Sequence, residues 1–352
     1  MFNRHWNRRG LALLAVLLVL NVLGCGQRQP PPVKVKLRLV EVMHTVFYAP
    51  LYVAVNNGYF SREELEIELS TSGGWDKTMK ALVSGEADLA LGGPEISIYL
   101  RQQKAPENVY SFAQIAKRDG SFLVARKAMP SFQWADLKGQ TVISSQQGGL
   151  PEMVNKYILK QNNLLPQTDL IIIQNIQPSS APGAFKSGIG DFIQLFEPTA
   201  SQLEKEGVGY VVASYGTAGA ELPFSTFLAT KKFLQNNPEA AQKFTNAIYR
   251  AQLWLASHTS EEIAATLAPA FPDLDRQVLL TAVQRYKNQD TWSTDPMPRG
   301  PTFVQLQKIM VTAGEIKEQL PLDQLVVTKF AAKALETVKP DADPKPKKQP
   351  NI

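Results

Sequence analysis

Cysteine is nearly absent from this chain. Of 352 residues only Cys25 is one, so no internal disulfide can staple the fold. Histidine is almost as scarce: His5, His44 and His258 stand far apart, and His44 and His258 read as isolated side chains. A Cys/His metal site and a nucleophile-histidine set therefore both lack their parts, and neither metal, cofactor nor enzymatic activity is expected. Clustered basic charge is missing as well. The net charge of +5 falls to +2 once Arg4, Arg8 and Arg9 of the acid-free residues 1–24 are set aside. The tail 339–352 holds Lys339, Lys345, Lys347 and Lys348 against Asp341 and Asp343, which accounts for that remainder. A body so near neutrality lacks the footprint of a nucleic-acid binder. Beyond the N-terminus there is no apolar run of membrane-spanning length, no long internal repeat and no low-complexity tract.

What is present is an ordinary globular composition, 44% apolar and 20% charged, in a chain long enough for two medium cores. The start differs. Basic residues 4–9 precede an unbroken apolar run over 11–20 and then Val22-Leu23-Gly24-Cys25. That run is too short for a comfortable span, which wants about 20 apolar residues, and fits an export signal over 1–24. The four residues ending at Cys25 resemble the lipobox of bacterial lipoproteins, with Leu23 a slightly unusual member. Cys25 would then be lipidated, placing the protein outside the cytoplasm on a membrane through a lipid anchor; an uncleaved signal anchor is the alternative. Residues 25–34 read as a flexible tether and 339–352 as a disordered Pro/Lys/Asp tail.

Between them, apolar runs of strand length alternate with helical periodicity. Strands are predicted over 37–43, 66–70, 88–91 and 111–115, with helices over 50–55, 76–84 and 95–103. A second series places strands at 141–144, 169–173, 192–195 and 210–213, and helices at 152–161 and 181–187. The extended segments 122–125 and 226–229 enter and leave that series, so two crossing strands form a hinge. From residue 238 the pattern turns helical, and those amphipathic helices must cover the first lobe or cap it. Lobe 1 is thus assigned 35–123 and 226–338, and lobe 2 is assigned 124–225.

Three times an apolar run stops at a Gly-Gly pair and a helix opens within two residues on a carboxylate: Gly73-Gly74-Trp75-Asp76, Gly92-Gly93-Pro94-Glu95 and Gly148-Gly149-Leu150-Pro151-Glu152. Glycine permits a sharp turn and leaves no side chain between the main chain and a ligand, while a helix start offers unpaired N–H groups. In open α/β sheets ligands collect beyond the carboxyl ends of the strands. Three such corners imply one polar cleft.

Several pieces also resemble a known family. The stretch Ala49-Pro50-Leu51-Tyr52-Val53-Ala54 with Asn57-Gly58-Tyr59-Phe60 is similar to the opening of nitrate/sulfonate/taurine-type substrate-binding proteins of ABC importers, a group that includes binders of thiamine-pyrimidine precursors. The corner Ser84-Gly85-Glu86-Ala87-Asp88-Leu89-Ala90, the turn Asp136-Leu137-Lys138-Gly139 and the corner Phe196-Glu197-Pro198 follow in the family's order. The resemblance implies an α/β, two-lobed periplasmic-binding-protein fold, type II-like, with a two-strand hinge and extra C-terminal helices. It also implies a monomer that closes on a small-molecule solute and hands it to an ABC permease and its ATPase. A self-consuming synthase in that group carries a cysteine-rich motif, histidine and a pyridoxal cofactor; this chain has no cysteine after position 25.

Candidate contacts follow from position. Thr45 and Tyr48 stand at the first helix entrance, where plain capping is the alternative. Trp75, set between Gly74 and Asp76, is poorly placed for a core and well placed to stack on a planar or cationic ligand. Gly93 and Glu95, and Gln147, Gly148, Gly149 and Glu152, supply the other two corners, with Glu197 as neighbour; for Glu95 and Glu197 contact and capping both stay open. Because a carboxylate stands at each helix mouth, the positive ends that would attract an anion are partly neutralised. A neutral or cationic, heteroaromatic, pyrimidine- or vitamin-like ligand is expected. Nitrate, sulfonate or taurine binding, or a solute sensor not coupled to transport, are the alternatives.

Overall fold

A computed structural model describes residues 34–340 except Pro106. The signal 1–24, Cys25, nearly all of the tether and residues 341–352 lie outside the described residues.

Two mixed five-stranded sheets form the frame, each flanked by helices. In the first, β1 (Val35–Glu41), β2 (Leu65–Thr71) and β3 (Leu89–Gly92) run parallel, and β10 (Ser225–Thr230) lies antiparallel between β3 and β4 (Val109–Ala116). The second repeats that plan. Parallel strands β6 (Thr141–Ile143), β7 (Ile171–Ile173) and β8 (Phe192–Phe196) are followed across the sheet by antiparallel β5 (Ser121–Ala125) and then β9 (Tyr210–Ser214). Strand orders β2-β1-β3-β10-β4 and β7-β6-β8-β5-β9 are the same pattern. The chain passes between sheets twice, through residues 117–120 and 215–224, and the antiparallel strand of each sheet adjoins one passage. Strands covered on both faces are buried throughout, as β3 and β4 are; edge strand β2 exposes most of its residues.

Helices α1 (Ala49–Asn56), α2 (Trp75–Ser84) and α3 (Glu95–Gln102) cover the first sheet, and α4 (Leu150–Gln161), α5 (Ala181–Lys186) and α6 (Thr199–Lys205) the second. Among the described residues no helix is long and apolar enough to cross a membrane. The C-terminal run comprises α7 (Lys231–Asn236), α8 (Pro238–Ser257), α9 (Ser260–Leu267), α10 (Arg276–Asn288), α11 (Gly300–Thr312) and α12 (Lys329–Thr337). Helix α8 packs on α1 and α12, and its Phe244 meets Phe60, Phe112 and Phe227 ring to ring. The run does more than cover one sheet. Helix α10 also touches α6, and α11 touches α4, so C-terminal helices brace both halves.

At the first passage Asp119 is buried. Its Oδ1 accepts the N–H and the hydroxyl of Ser121, both at 2.7 Å, while Oδ2 has no hydrogen-bond partner among the described residues. Neighbouring Arg118 donates instead to the Gly216 carbonyl, 3.4 Å away. Burial pushes the Asp119 carboxyl up to about 7, only partly opposed by its two bonds from Ser121. A raised folded-state value means the proton stabilises the fold, an advantage complete below the unfolded pKa and lost as pH rises through about 7. Asp119→Asn should therefore gain on the parent as pH rises from about 4 to about 8, by a few kcal/mol in order of magnitude. Thermal melts across that range would show a constant difference if the reading is wrong.

Candidate functional site

The carboxyl ends of the six parallel strands β1–β3 and β6–β8 converge on one cavity of about 720 Å³. Its walls are the loops that follow them: residues 42–48 after β1, 71–77 after β2, 93–95 after β3, 144–151 after β6, 176–182 after β7 and 194–199 at the end of β8. Phe224 and Ser225, at the second passage, complete it. Five aromatic side chains, Phe47, Tyr48, Trp75, Phe196 and Phe224, line the space.

A fully buried carboxylate ends β1. Glu41 accepts from the Tyr52 hydroxyl at 2.6 Å and the Thr71 hydroxyl at 2.8 Å, and His44 Nδ1 lies 2.9 Å from its Oε1. His44 Nε2 is 2.8 Å from the Ala270 carbonyl, which can only accept, so that nitrogen carries a proton. Its bond to Glu41 raises the imidazole pKa despite burial. The expectation of an isolated histidine is thus corrected. His44 is held by two partners and by the rings of Tyr52 and Phe271, fixing the loop on which Thr45 follows.

Thr45 caps the short turn Val46–Tyr48, accepting from Phe47 N–H, and donates its own hydroxyl at 2.6 Å to the Glu197 carbonyl on the opposite side. Capping and bridging are both served by one side chain. Glu197 itself is buried: Oε2 accepts the Ser201 N–H of α6 at 2.9 Å and Oε1 accepts Arg285 Nη1 at 2.8 Å. Its N–H donates to the Tyr286 hydroxyl at 3.0 Å. Glu197 lines the cavity with its polar atoms already engaged by α6 and α10. Tyr48 is also buried on the wall, its phenol pKa raised first by burial and then by the charge of Glu41.

The glycine corners hold something the sequence did not suggest. A Cβ at Gly93 would lie 1.9 Å from Glu95 Oε2, and one at Gly74 would lie 2.8 Å from Asp76 Oδ1. One at Gly148, whose φ is 78°, would lie 3.2 Å from the Trp75 ring. The glycines make room for the protein's own side chains. Trp75 reaches across to the Gln147 carbonyl at 3.4 Å, and Tyr99, packed against Trp75, donates to the Gly148 carbonyl at 2.9 Å. The third corner, at Gly148-Gly149, is held from behind by Gln194 on β8, which accepts from Ser144 and Ser145 and donates to Ser121 and the Pro151 carbonyl.

Of the residues singled out from sequence, Thr45, Tyr48, Gly74, Trp75, Gly93, Glu95, Gly149 and Glu197 line the cavity. Asp76, Gln147, Gly148 and Glu152 do not. Asp76 and Gln147 face solvent, and Gly148 lies beneath the Trp75 ring. Glu152 is buried behind the corner, accepting from Gln174 at 2.8 Å and paired with Lys156 at 2.6 Å, one turn along α4. Sequence reasoning passed over His44, Gln194, Phe224, Arg285 and the Gln177-Pro178-Ser179-Ser180 loop. That last had a visible signal, a Pro/Ser cluster between a strand and a helix. Among the described residues no group of three metal-ligating side chains gathers, and the basic side chains on the cavity wall are Lys77 and the engaged His44.

Residues 28–268 match the model of the NMT1-like family. The chain belongs to that family. YtlA of Bacillus subtilis (strain 168), named as a binding protein, is 41% identical over 94% of this chain and 98% of its own length. The nitrate/nitrite binding protein NrtA of Nostoc sp. (strain PCC 7120) is 23% identical over 61% of this chain and 52% of that protein, so the match spans about half of NrtA. The crystal structure of the periplasmic nitrate-binding protein NrtA from Synechocystis PCC 6803 superposes with a TM-score of 0.73 at 17% identity, over 88% of this chain and 90% of that one. The periplasmic aliphatic sulphonate binding protein SsuA from Escherichia coli gives 0.64 at 20% identity, over 82% and 96%. The proteins that this chain resembles thus include periplasmic nitrate- and aliphatic sulphonate-binding proteins, and the two-lobed architecture is that of their fold. The fold alone does not fix the activity. A desulfurization enzyme, DSZB, shares it with a TM-score of 0.59 at 14% identity, over 86% of this chain and 99% of that one.

The Glu197–Arg285 pair carries a stability prediction. Arg285→Met leaves a buried carboxylate without its cation, and a loss of about 3 kcal/mol is expected, against a smaller loss in Glu197→Gln, which keeps the cap and removes the charge. Urea unfolding of both variants compares them directly. Equal losses would mean that the ion pair contributes nothing beyond packing.

Proposed function

We propose that this chain is the solute-capturing component of an ABC importer, holding a small molecule in the cavity between its two sheets and delivering it to a permease and its ATPase. The observation that carries the reading is the convergence of six strand ends on one aromatic-walled cavity crossed by bonds from both sheets. Family membership supports it, since relatives include nitrate and aliphatic sulfonate binding proteins. An extracytoplasmic protein anchored through a lipid on Cys25 fits the N-terminal sequence, and the family resemblance favours a monomer.

The solute we infer is neutral or cationic and heteroaromatic. Five aromatic rings suit a planar molecule, and Glu95, a wall carboxylate with no cationic partner among the described residues, stands against one exposed cation, Lys77. Stacking on rings favours a flat π-system, and a carboxylate favours N–H donors. An oxyanion such as the relatives bind is the competing reading, and Lys77 is the observation in its favour.

Native mass spectrometry of the purified protein, released from its anchor, should find a retained small molecule. Calorimetric titration should then show binding of an aminopyrimidine and none of nitrate or taurine. Tight binding of nitrate or taurine with no response to aminopyrimidines would overturn the ligand class, and failure to retain or bind any solute would overturn the receptor.

A further inference from the structure

Glu95 opens α3 at the seam between the two sheets, and its carboxylate bends back over the turn that precedes it. Oε1 accepts the N–H of Leu150, the first residue of α4, from the other side of the cavity at 3.3 Å, and the carboxylate also takes Glu95's own N–H. Two helix starts, one from each lobe, thus aim N–H groups at one carboxylate that belongs to the protein. The second oxygen, Oε2, is buried without a hydrogen-bond partner among the described residues and rests over the α-carbon of Gly93, itself on the cavity wall. Glu95 as a whole is only 3% exposed.

Helix N-termini that converge in a cavity ordinarily make a seat for an oxyanion. Here the seat is filled from within. Gly93 is the enabling residue, because any side chain at that position would collide with Oε2. No arginine lines the cavity among the described residues, and Lys77 lies on the wall formed after β2, on the first turn of α2. Across the seam, Glu152 near the start of α4 is held by Lys156 and Gln174, so it does not compete for the Leu150 N–H.

The geometry points to Glu95 as the specificity-determining residue of the cavity: its carboxylate occupies the anion seat formed by the starts of α3 and α4 and excludes nitrate- and sulfonate-like solutes. This deepens the receptor reading above and rests on it. A burial-raised pKa of about 7 agrees with a carboxyl that lacks a cationic partner.

The test is calorimetric titration of nitrate and of taurine into the full chain carrying Glu95→Ser, with Glu95→Gln and the parent alongside. Serine vacates the seat and frees both helix starts; glutamine keeps the shape and removes the charge. The parent should bind neither anion at millimolar concentration. Glu95→Ser should bind at least one of them roughly tenfold or more tighter than the parent's limit, with Glu95→Gln between the two. The assignment is overturned if the parent binds nitrate or taurine with its carboxylate in place. It is overturned equally if both variants, folded by circular dichroism, gain nothing; should the serine variant not fold, the glutamine variant decides alone. A retained solute in the parent together with variants blind to anions would remove Glu95's role and leave the receptor standing. A gain of anion binding in the variants of a parent that holds no solute would sustain Glu95 as the excluding group and remove the receptor.

Discussion

The buried carboxylate of Glu197 is the point on which the architecture turns. It ends the central parallel run of the second sheet, caps α6, receives Arg285 from the C-terminal helices, and presents its carbonyl to Thr45 of the first sheet. A charge in such a place would cost several kcal/mol if left alone. Its two carboxylate oxygens are met from α6 and α10, which cannot drift apart without exposing a bare ion, while the residue's main-chain carbonyl is met from a third segment by Thr45. This ties the C-terminal helices to the second sheet and explains why a run that could have covered one lobe braces both. Tyr286, one residue after Arg285, adds bonds to Glu197 and to the Gly120 carbonyl, so one turn of α10 pins the end of β8 and the first passage between sheets together.

Glycine in the corners has a second meaning once the side chains are seen. In the sequence the pairs look like bare backbone kept clear for a ligand. In the fold, the space they leave is taken by Asp76, Glu95 and Trp75. Two carboxylates curl back over their own helix starts, and the indole crosses to the other lobe. Acidic residues in a first turn are favoured by the dipole wherever they stand. What distinguishes Glu95 is burial at the seam, where a neighbouring helix start joins its own.

Legibility followed the range of the forces involved. Elements governed by local periodicity were readable: the strands at β3 and β8 and the helices α2 and α3 sit within a residue of where alternation and 3.6-residue spacing put them. So was the meeting of the corners after β2, β3 and β6, because parallel strands send their carboxyl ends to one side. Side-chain direction was not readable. Gly149 and Glu152 lie three residues apart in one motif, yet one faces the cavity and the other is buried with Lys156 and Gln174, because Gly149 is the extended residue before the helix and only Glu152 takes a helical direction. Arg285 was invisible for a different reason. It is one of several basic residues on an amphipathic helix, and only partners 81 to 88 positions earlier, Glu197, Ser201 and Glu204, give it a role.

The contacts that cross the cavity differ in kind on its two sides. Where α10 closes the space, Thr45 meets Glu197 in buried surroundings and beside a paired charge, so parting them exposes groups whose replacement by water is incomplete. At the Trp75 side, the bonds to Gln147 and Gly148 use main-chain carbonyls at an exposed or half-buried rim, and water can substitute for each at a net cost of about 1 kcal/mol. Among the described residues, the one buried contact across the Trp75 side is the 3.3 Å bond from the Leu150 N–H to Glu95, which has no cation beside it. The two edges of the cavity are thus held unequally: rim bonds and one long bond to a carboxylate on one edge, and on the other a paired ion buried among α6, α10 and Thr45.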